Sequence, residues 1–222
     1  MSRCTRVALM GLDGSGKSAN IQKLKADKAF SSWKFVWVRW KPKLLGPAYQ
    51  IFKRREEKAV GRENSQEALS IQYRKKKGLK KKLFRFAPIR GIWMGLALTD
   101  YLCQFYAKTF FSLIKGENMV FDRYYPDLFI DQGINFSYTP EKICREIRRF
   151  QGLFPSLNRI IYIRVRPEVC FQRKNDIPDR EYLEKRFAVY ERLKEEDGWV
   201  SVDGEAPLAS VYGEVKKQVL GM

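Results

Sequence analysis

With 222 residues, 45% of them hydrophobic and 31% charged, the chain has the composition of one folded domain with a sizeable core. It contains no histidine, which excludes a Cys/His zinc site and every mechanism with an imidazole base. The net charge is +18, high for this length.

The basic residues concentrate at Lys53-Arg54-Arg55 and from Tyr73 to Arg85. A solvated face, attraction to anionic lipid at a membrane surface, and attraction to phosphorylated substrates all stay open. No nucleic-acid recognition module accompanies the charge, which argues against DNA or RNA as a partner. Cys4, Cys103, Cys144 and Cys170 are widely spaced and form no Cys-x-x-Cys pair. They read as reduced thiols of a cytoplasmic protein. The start, Met1 to Arg6, lacks the apolar centre of a signal peptide.

Along the chain, strand and helix signals alternate. Val7–Met10 reads as a short buried strand. Lys17 to about Phe30 has helical periodicity, and Lys34 to Trp40 reads as a second strand. Residues 42–90 form a basic insertion, with a helix expected over Glu67–Lys77. Gly91–Ile114 is apolar and long enough to span a bilayer, but Asp100 sits near its middle. A charge at bilayer depth is costly, so a helix buried in the core is expected. Asn118–Phe121 is a strand ending at Asp122. Pro140–Gln151 is a helix with Thr139 as its N-cap. Arg159–Val165 is a strand, Pro167 opens a helix, and Asp179–Glu196 is a charged helix. Trp199–Val202 and Pro207–Leu220 are the last strand and helix. This alternation predicts an α/β fold with a parallel sheet and helices on both faces.

Gly11-Leu12-Asp13-Gly14-Ser15-Gly16-Lys17-Ser18 matches G-x-x-x-x-G-K-[ST] in full, between a strand and a helix. The glycines let the backbone curl and aim N–H groups at phosphate oxygens, and the helix N-terminus adds its dipole. Lys17 reaches the β- and γ-phosphates, and the Ser18 hydroxyl is a magnesium ligand. The nucleotide-binding set is Gly11, Gly14, Ser15, Gly16, Lys17, Ser18 and Ala19. Asp122 ends an apolar strand, where it can face the same magnesium, and Arg123 can fork two phosphate oxygens. Arg173, Lys174, Asp179, Arg180, Glu181 and Arg186 form a third constellation. It reads either as a solvated helix face or as a lid over the nucleotide at about residues 172–182.

These three constellations, in this order, resemble the thymidylate kinase family of P-loop nucleoside-monophosphate kinases, from Val7 to the end. Gln132-Gly133 is similar to the family's Tyr-Gln-Gly. Asp100, 22 residues before Asp122, is similar to an acid in its preceding helix. Arg180, Phe187 and Tyr190 resemble its lid and following helix, and Val202-Asp203-Gly204 its terminal strand. The resemblance implies a P-loop fold with a five-stranded parallel sheet, ATP·Mg as donor and, in many members, a homodimer. It implies Lys17, Arg123 and Arg180 as catalytic residues, with Asp13 orienting the acceptor. Gly14 stands where some members carry an arginine. Others supply that arginine from the lid, so Arg180 takes this role and Arg173 adjoins the adenine. The acceptor half departs from the pattern: Tyr101 replaces an arginine, Trp40-Lys41-Pro42-Lys43-Leu44 replaces Arg-Glu-Pro-Gly-Gly, and Asp131 replaces a tyrosine. The expected acceptor is thymidine monophosphate, another nucleotide, or a sugar or lipid-linked sugar. A nucleotide-dependent switch protein is the rival expectation.

Overall fold

The computed structural model describes residues 4–43, 84–174 and 180–221. The described strands are β1 (Arg6–Met10), β2 (Lys34–Trp37), β3 (Met119–Asp122), β4 (Arg159–Arg164) and β5 (Val200–Asp203). They form one sheet in the order β2-β3-β1-β4-β5, and every neighbouring pair is parallel, as the alternating pattern predicts. β1 is central, and its apolar run Val7–Met10 is fully buried. It has β3 on one side and β4 on the other, so the strand order reverses beside it. A loop leaving the carboxyl end of β1 therefore opens into the crevice where such sheets hold ligands.

The helices are α1 (Lys17–Ala26), α2 (Ala87–Ile114), α3 (Pro126–Asn135), α4 (Pro140–Phe150), α5 (Pro167–Arg173), α6 (Arg180–Asp197) and α7 (Leu208–Leu220). α1 packs with α7, while α3, α4, α5 and α6 pack among themselves. α1 stops at Ala26, short of the expected Phe30, because Asp27 leaves the helical conformation. Its carboxylate accepts from Ala29 N (2.9 Å) to start a 3₁₀ turn, and from Tyr212 Oη and Lys216 Nζ of α7 (2.6 Å each). The N-cap expected at Thr139 is present, its hydroxyl facing Lys142 N at 3.4 Å.

α2 starts at Ala87, before the expected Gly91, with Pro88 in its first turn. It buries Leu98, Tyr101, Phe105 and Thr109. Asp100 is buried as well, and it accepts from Trp40 Nε1 (3.1 Å), Lys43 N (3.0 Å) and Gln104 Nε2 (2.9 Å). The charge that argues against a bilayer span thus ties α2 to the segment leaving β2. No helix among the described residues is long and apolar enough to cross a membrane. The expected helix at Glu67–Lys77 and most of the basic stretch 73–85 lie outside the described residues.

Candidate active site

The P-loop joins β1 to α1 and closes over α5. Gly11 (φ +146°) lies so near β4 that a Cβ there would stand 2.6 Å from Ile163 O. Gly14 (φ +90°) rests on α5, where a Cβ would stand 2.7 Å from Cys170 O and 3.2 Å from Cys170 Cα. Both obstacles are backbone, so neither can step aside. This gives the glycine at position 14 a physical reason: there is no room for an arginine inside this loop. Gly14→Arg is expected to lower folded-state stability by about 2–4 kcal/mol, from the left-handed backbone and the clash together. A thermal melt reads this, and an unchanged midpoint would contradict the packing.

Lys17 is folded onto its own loop. Its Nζ donates to the carbonyls of Gly11 (2.7 Å) and Leu12 (2.5 Å) and to Ser15 Oγ (3.2 Å). Burial, with the charge of Arg123 next, pulls its pKa down to about 7. Ser18 is exposed at the head of α1, with Ala19 behind it. Gly16, in a left-handed conformation, precedes them.

Beside the loop runs a chain of alternating charges. Arg123 follows β3 in a left-handed conformation (φ 70°), an unusual one for a non-glycine residue, and its N–H donates to Leu9 O at 3.1 Å. That turn aims the guanidinium at the P-loop: Nη2 donates to Asp13 and Nη1 to Asp127 (2.5 Å). Asp127 then meets Arg186 Nη2 (3.1 Å) and the Tyr190 hydroxyl. Arg186 Nη1 donates to Asp131 and Tyr182 Oη (2.9 Å), and Tyr182 Oη donates to Asp131 (3.0 Å). Burial pushes the Asp13 pKa up, but Arg123, then Lys17, Arg186 and Arg39, outweigh it and hold the carboxyl well below its usual range. Burial likewise opposes Asp127, and Arg123 and Arg186 overcome it.

Of the expected residues, the structure brings together the P-loop, Asp13 and Arg123. Arg186 is not on a solvated helix face; it is fully buried and binds two aspartates of α3. Arg39, which sequence reasoning missed, lies 3.8 Å from Asp13. Arg180 is not brought to the P-loop here: it is exposed, donating to Glu184 (2.8 Å) and Glu168. Arg173 Nη1 donates to Gly204 O (3.0 Å), at the turn that follows β5. Asp179 lies outside the described residues.

The three departures on the acceptor side have different structural outcomes. Trp40 and Asp131 have become partners of Asp100 and Arg186. Tyr101 is buried near Tyr124, Asp127 and Tyr125, and its hydroxyl has no hydrogen-bond partner among the described residues.

The donor set fits magnesium. Asp122 stands opposite Leu9 at the end of β3, level with the start of the P-loop, and its carboxylate makes no hydrogen bond or ion pair among the described residues. Burial raises its pKa against the lowering pull of Arg123 and Lys17. No group of three or more His, Cys, Asp or Glu among the described residues could cage a metal alone. Magnesium takes one or two protein oxygens and completes its shell with phosphate oxygens and water.

Sheet order and P-loop together define an α/β P-loop fold. No family model matches the chain, and no curated protein matches it in sequence. Solved structures do match. Deoxyadenosine kinase from M. mycoides with bound dATP superposes with a TM-score of 0.56 at 15% identity, over 97% of this chain and 99% of that one. The same kinase with the products dCMP and dCDP gives 0.55 at 16% identity, over 98% and 100%. Identities this low establish a shared fold and leave function to the site. These neighbours are named for deoxyadenosine kinase rather than thymidylate kinase, and what they share with this chain is the fold.

Proposed function

We propose that the chain is an ATP-dependent phosphotransferase that moves the γ-phosphate of ATP to a small acceptor. The observation that carries this is the junction of the complete P-loop with the Asp13–Arg123 pair, beside an unengaged Asp122. Phosphoryl transfer needs little covalent help from protein; positioning and charge do the work. Lys17 leaves its loop carbonyls for the β- and γ-phosphates. Arg123 turns from Asp13 to the transferring group, and the freed Asp13 orients the accepting oxygen. Ser18 and Asp122 would hold magnesium, which would supply positive charge to the phosphate oxygens. Arg180 closes from above after giving up two exposed ion pairs, which costs about 1 kcal/mol or less for each. Arg173 flanks the adenine.

The thymidylate-kinase-like reading extends to the donor half. Tyr101 stands where the resembled family carries an acceptor-binding arginine, so the acceptor is expected to differ in chemistry. Thymidine monophosphate therefore shares the acceptor panel with deoxyadenosine and other nucleosides, nucleotides and sugars. Coupled ADP release tests the proposal: one acceptor should stimulate turnover at least tenfold over buffer. Slow turnover that no small acceptor changes would replace the kinase with a nucleotide-dependent switch.

A further inference from the structure

Along α2, Asp100, Gln104 and Lys108 are spaced one helical turn apart and form one polar stripe. The segment leaving β2 is fastened to that stripe. Lys43 N and Trp40 Nε1 donate to Asp100 (3.0 and 3.1 Å), Gln104 Nε2 donates to Lys41 O (2.8 Å), and Lys108 Nζ donates to Trp37 O (2.8 Å). Successive turns of one helix thus fix the backbone from Trp37 to Lys43, and the side chains it carries start from set positions.

The charges placed this way are all of one sign. The ammonium of Lys41 lies 4.9 Å from the centroid of the Trp37 ring, and that of Lys108 lies 5.4 Å from the same ring. Lys43 is near enough that its charge, with that of Lys41, adds to burial in lowering the Lys108 pKa. Lys41, Lys43 and Lys108 are exposed, and none of them forms an ion pair among the described residues. Trp37 is 42% exposed, and its indole N–H makes no hydrogen bond among the described residues. An indole face attracts a cation but carries no net charge. Three ammonium groups therefore face one another on a fixed frame, and an anion set among them removes the repulsion.

The donors define the ligand chemistry. An ammonium is a compact point charge with three rotatable donors, which suits phosphate oxygens approached from several directions. The place is separate from the phosphoryl-transfer centre. β2 is the edge of the described sheet and lies two strands from β1, about 10 Å at about 4.8 Å per strand. Lys108 lies about 12 Å along α2 from Asp100, at about 1.5 Å per residue. A phosphate held here is a different one from the phosphate being transferred.

We propose that Trp37, Lys41, Lys43 and Lys108 form a second anion site, at the edge of β2, that takes the phosphate group of a phosphate ester. Such a group arrives either on a soluble small molecule or in the head group of an anionic phospholipid, and the same donors serve both. The site stands apart from the kinase reading, and its test needs no turnover.

The full chain is used, with the P-loop filled by a non-hydrolysable ATP analogue and magnesium. In one arm, glycerol 3-phosphate is titrated while the Trp37 indole N–H signal is followed by NMR, assigned by its loss in Trp37→Phe. In the other, the protein is sedimented with phosphatidylcholine vesicles with and without phosphatidic acid, which carries the same phosphate ester on a membrane. A saturable shift of the Trp37 signal identifies a soluble ester; pelleting that requires phosphatidic acid identifies the lipid head group. In whichever arm responds, Lys41→Gln and, separately, Lys108→Gln should weaken binding about fivefold or more each, with an unchanged far-UV spectrum. Lys41 is exposed and its side chain makes no hydrogen bond among the described residues, so its variant keeps the test alive if Lys108→Gln fails to fold. No response in either arm would overturn the proposal. So would binding that the folded Gln variants retain in full, which would assign the anion to another basic part of the chain.

Discussion

Lys17→Ala abolishes acceptor-stimulated turnover while the fold survives: a loss of at least about 10³-fold is expected, on the scale of removing a principal charge from a phosphoryl-transfer site. The fold should survive because the free protein gains little from this ammonium. It is buried beside Arg123, held by loop carbonyls, and pulled down to about 7. Unchanged activity would remove the kinase assignment.

The same observation sets a pH signature for the wild type. Nucleotide phosphates select the charged form of Lys17. In the free protein that form dominates below pH 7 and is lost above it, so binding above pH 7 must take up a proton. The dissociation constant should therefore rise with pH beyond 7, by up to about tenfold per unit, and stay level below 6 as far as Lys17 decides it. Calorimetry in two buffers of different ionisation heat measures the proton directly; no uptake at pH 8 would mean that Lys17 is already charged. The fixed charges of Arg123, Arg186, Asp13 and Asp127 surround Lys17 and do not titrate in this window: the two carboxyls are held low and the guanidiniums high.

The largest loss of stability is expected from Arg186→Met. The side chain is fully buried and serves Asp127, Asp131, Tyr182 and Tyr190. Removing one partner of a buried charge network strands the others, at about 3–5 kcal/mol, or roughly 10 °C in melting temperature for a chain of this length. Arg186→Met/Asp127→Asn should recover part of the loss, because the stranded charge goes with it. The response to acid separates the two proteins. In the wild type the Asp127 carboxyl is lowered, so its contribution is present above the unfolded pKa and is lost as the pH falls through the folded one. In Arg186→Met burial meets less opposition and the pKa rises. The variant's deficit should then shrink as pH falls from 6 towards 4, since protonation relieves the stranded carboxylate. A deficit that stays level with pH would mean that Arg123 alone keeps Asp127 charged.

What could be read in the sequence follows from where the signal is local. The P-loop, the strand that ends at Asp122 and the Thr139 cap are each written in a few adjacent residues, and all three stand where the pattern puts them. Most element ends moved by one to four residues, as at Asp27, where a side chain from α7 decides the matter. α3 went unread for another reason. Pro126 to Ile130 is buried on every side, so no face of the helix shows a polar stripe, and its aspartates point inward. With α3 unseen, Asp127 was invisible as a partner and Arg186 passed for a solvated charge. Asp131 likewise looked like the loss of a tyrosine. It is one end of an ion pair, something no linear reading of two residues 55 positions apart can reveal.

That chain of charges, from Asp13 through Arg123, Asp127 and Arg186 to Asp131, joins the P-loop to α6. Its members compete for one another, so loosening either end redistributes attraction along the whole. If Arg123 turns to phosphate as proposed, Asp127 would have more of its charge for Arg186, and Arg186 would hold Asp131 less firmly. Two ligands that touch opposite ends would then not bind independently. Whatever factor the nucleotide imposes on a molecule docked against Asp131 and Tyr182, that molecule imposes on the nucleotide, because the coupling free energy belongs to the protein and is the same in both directions.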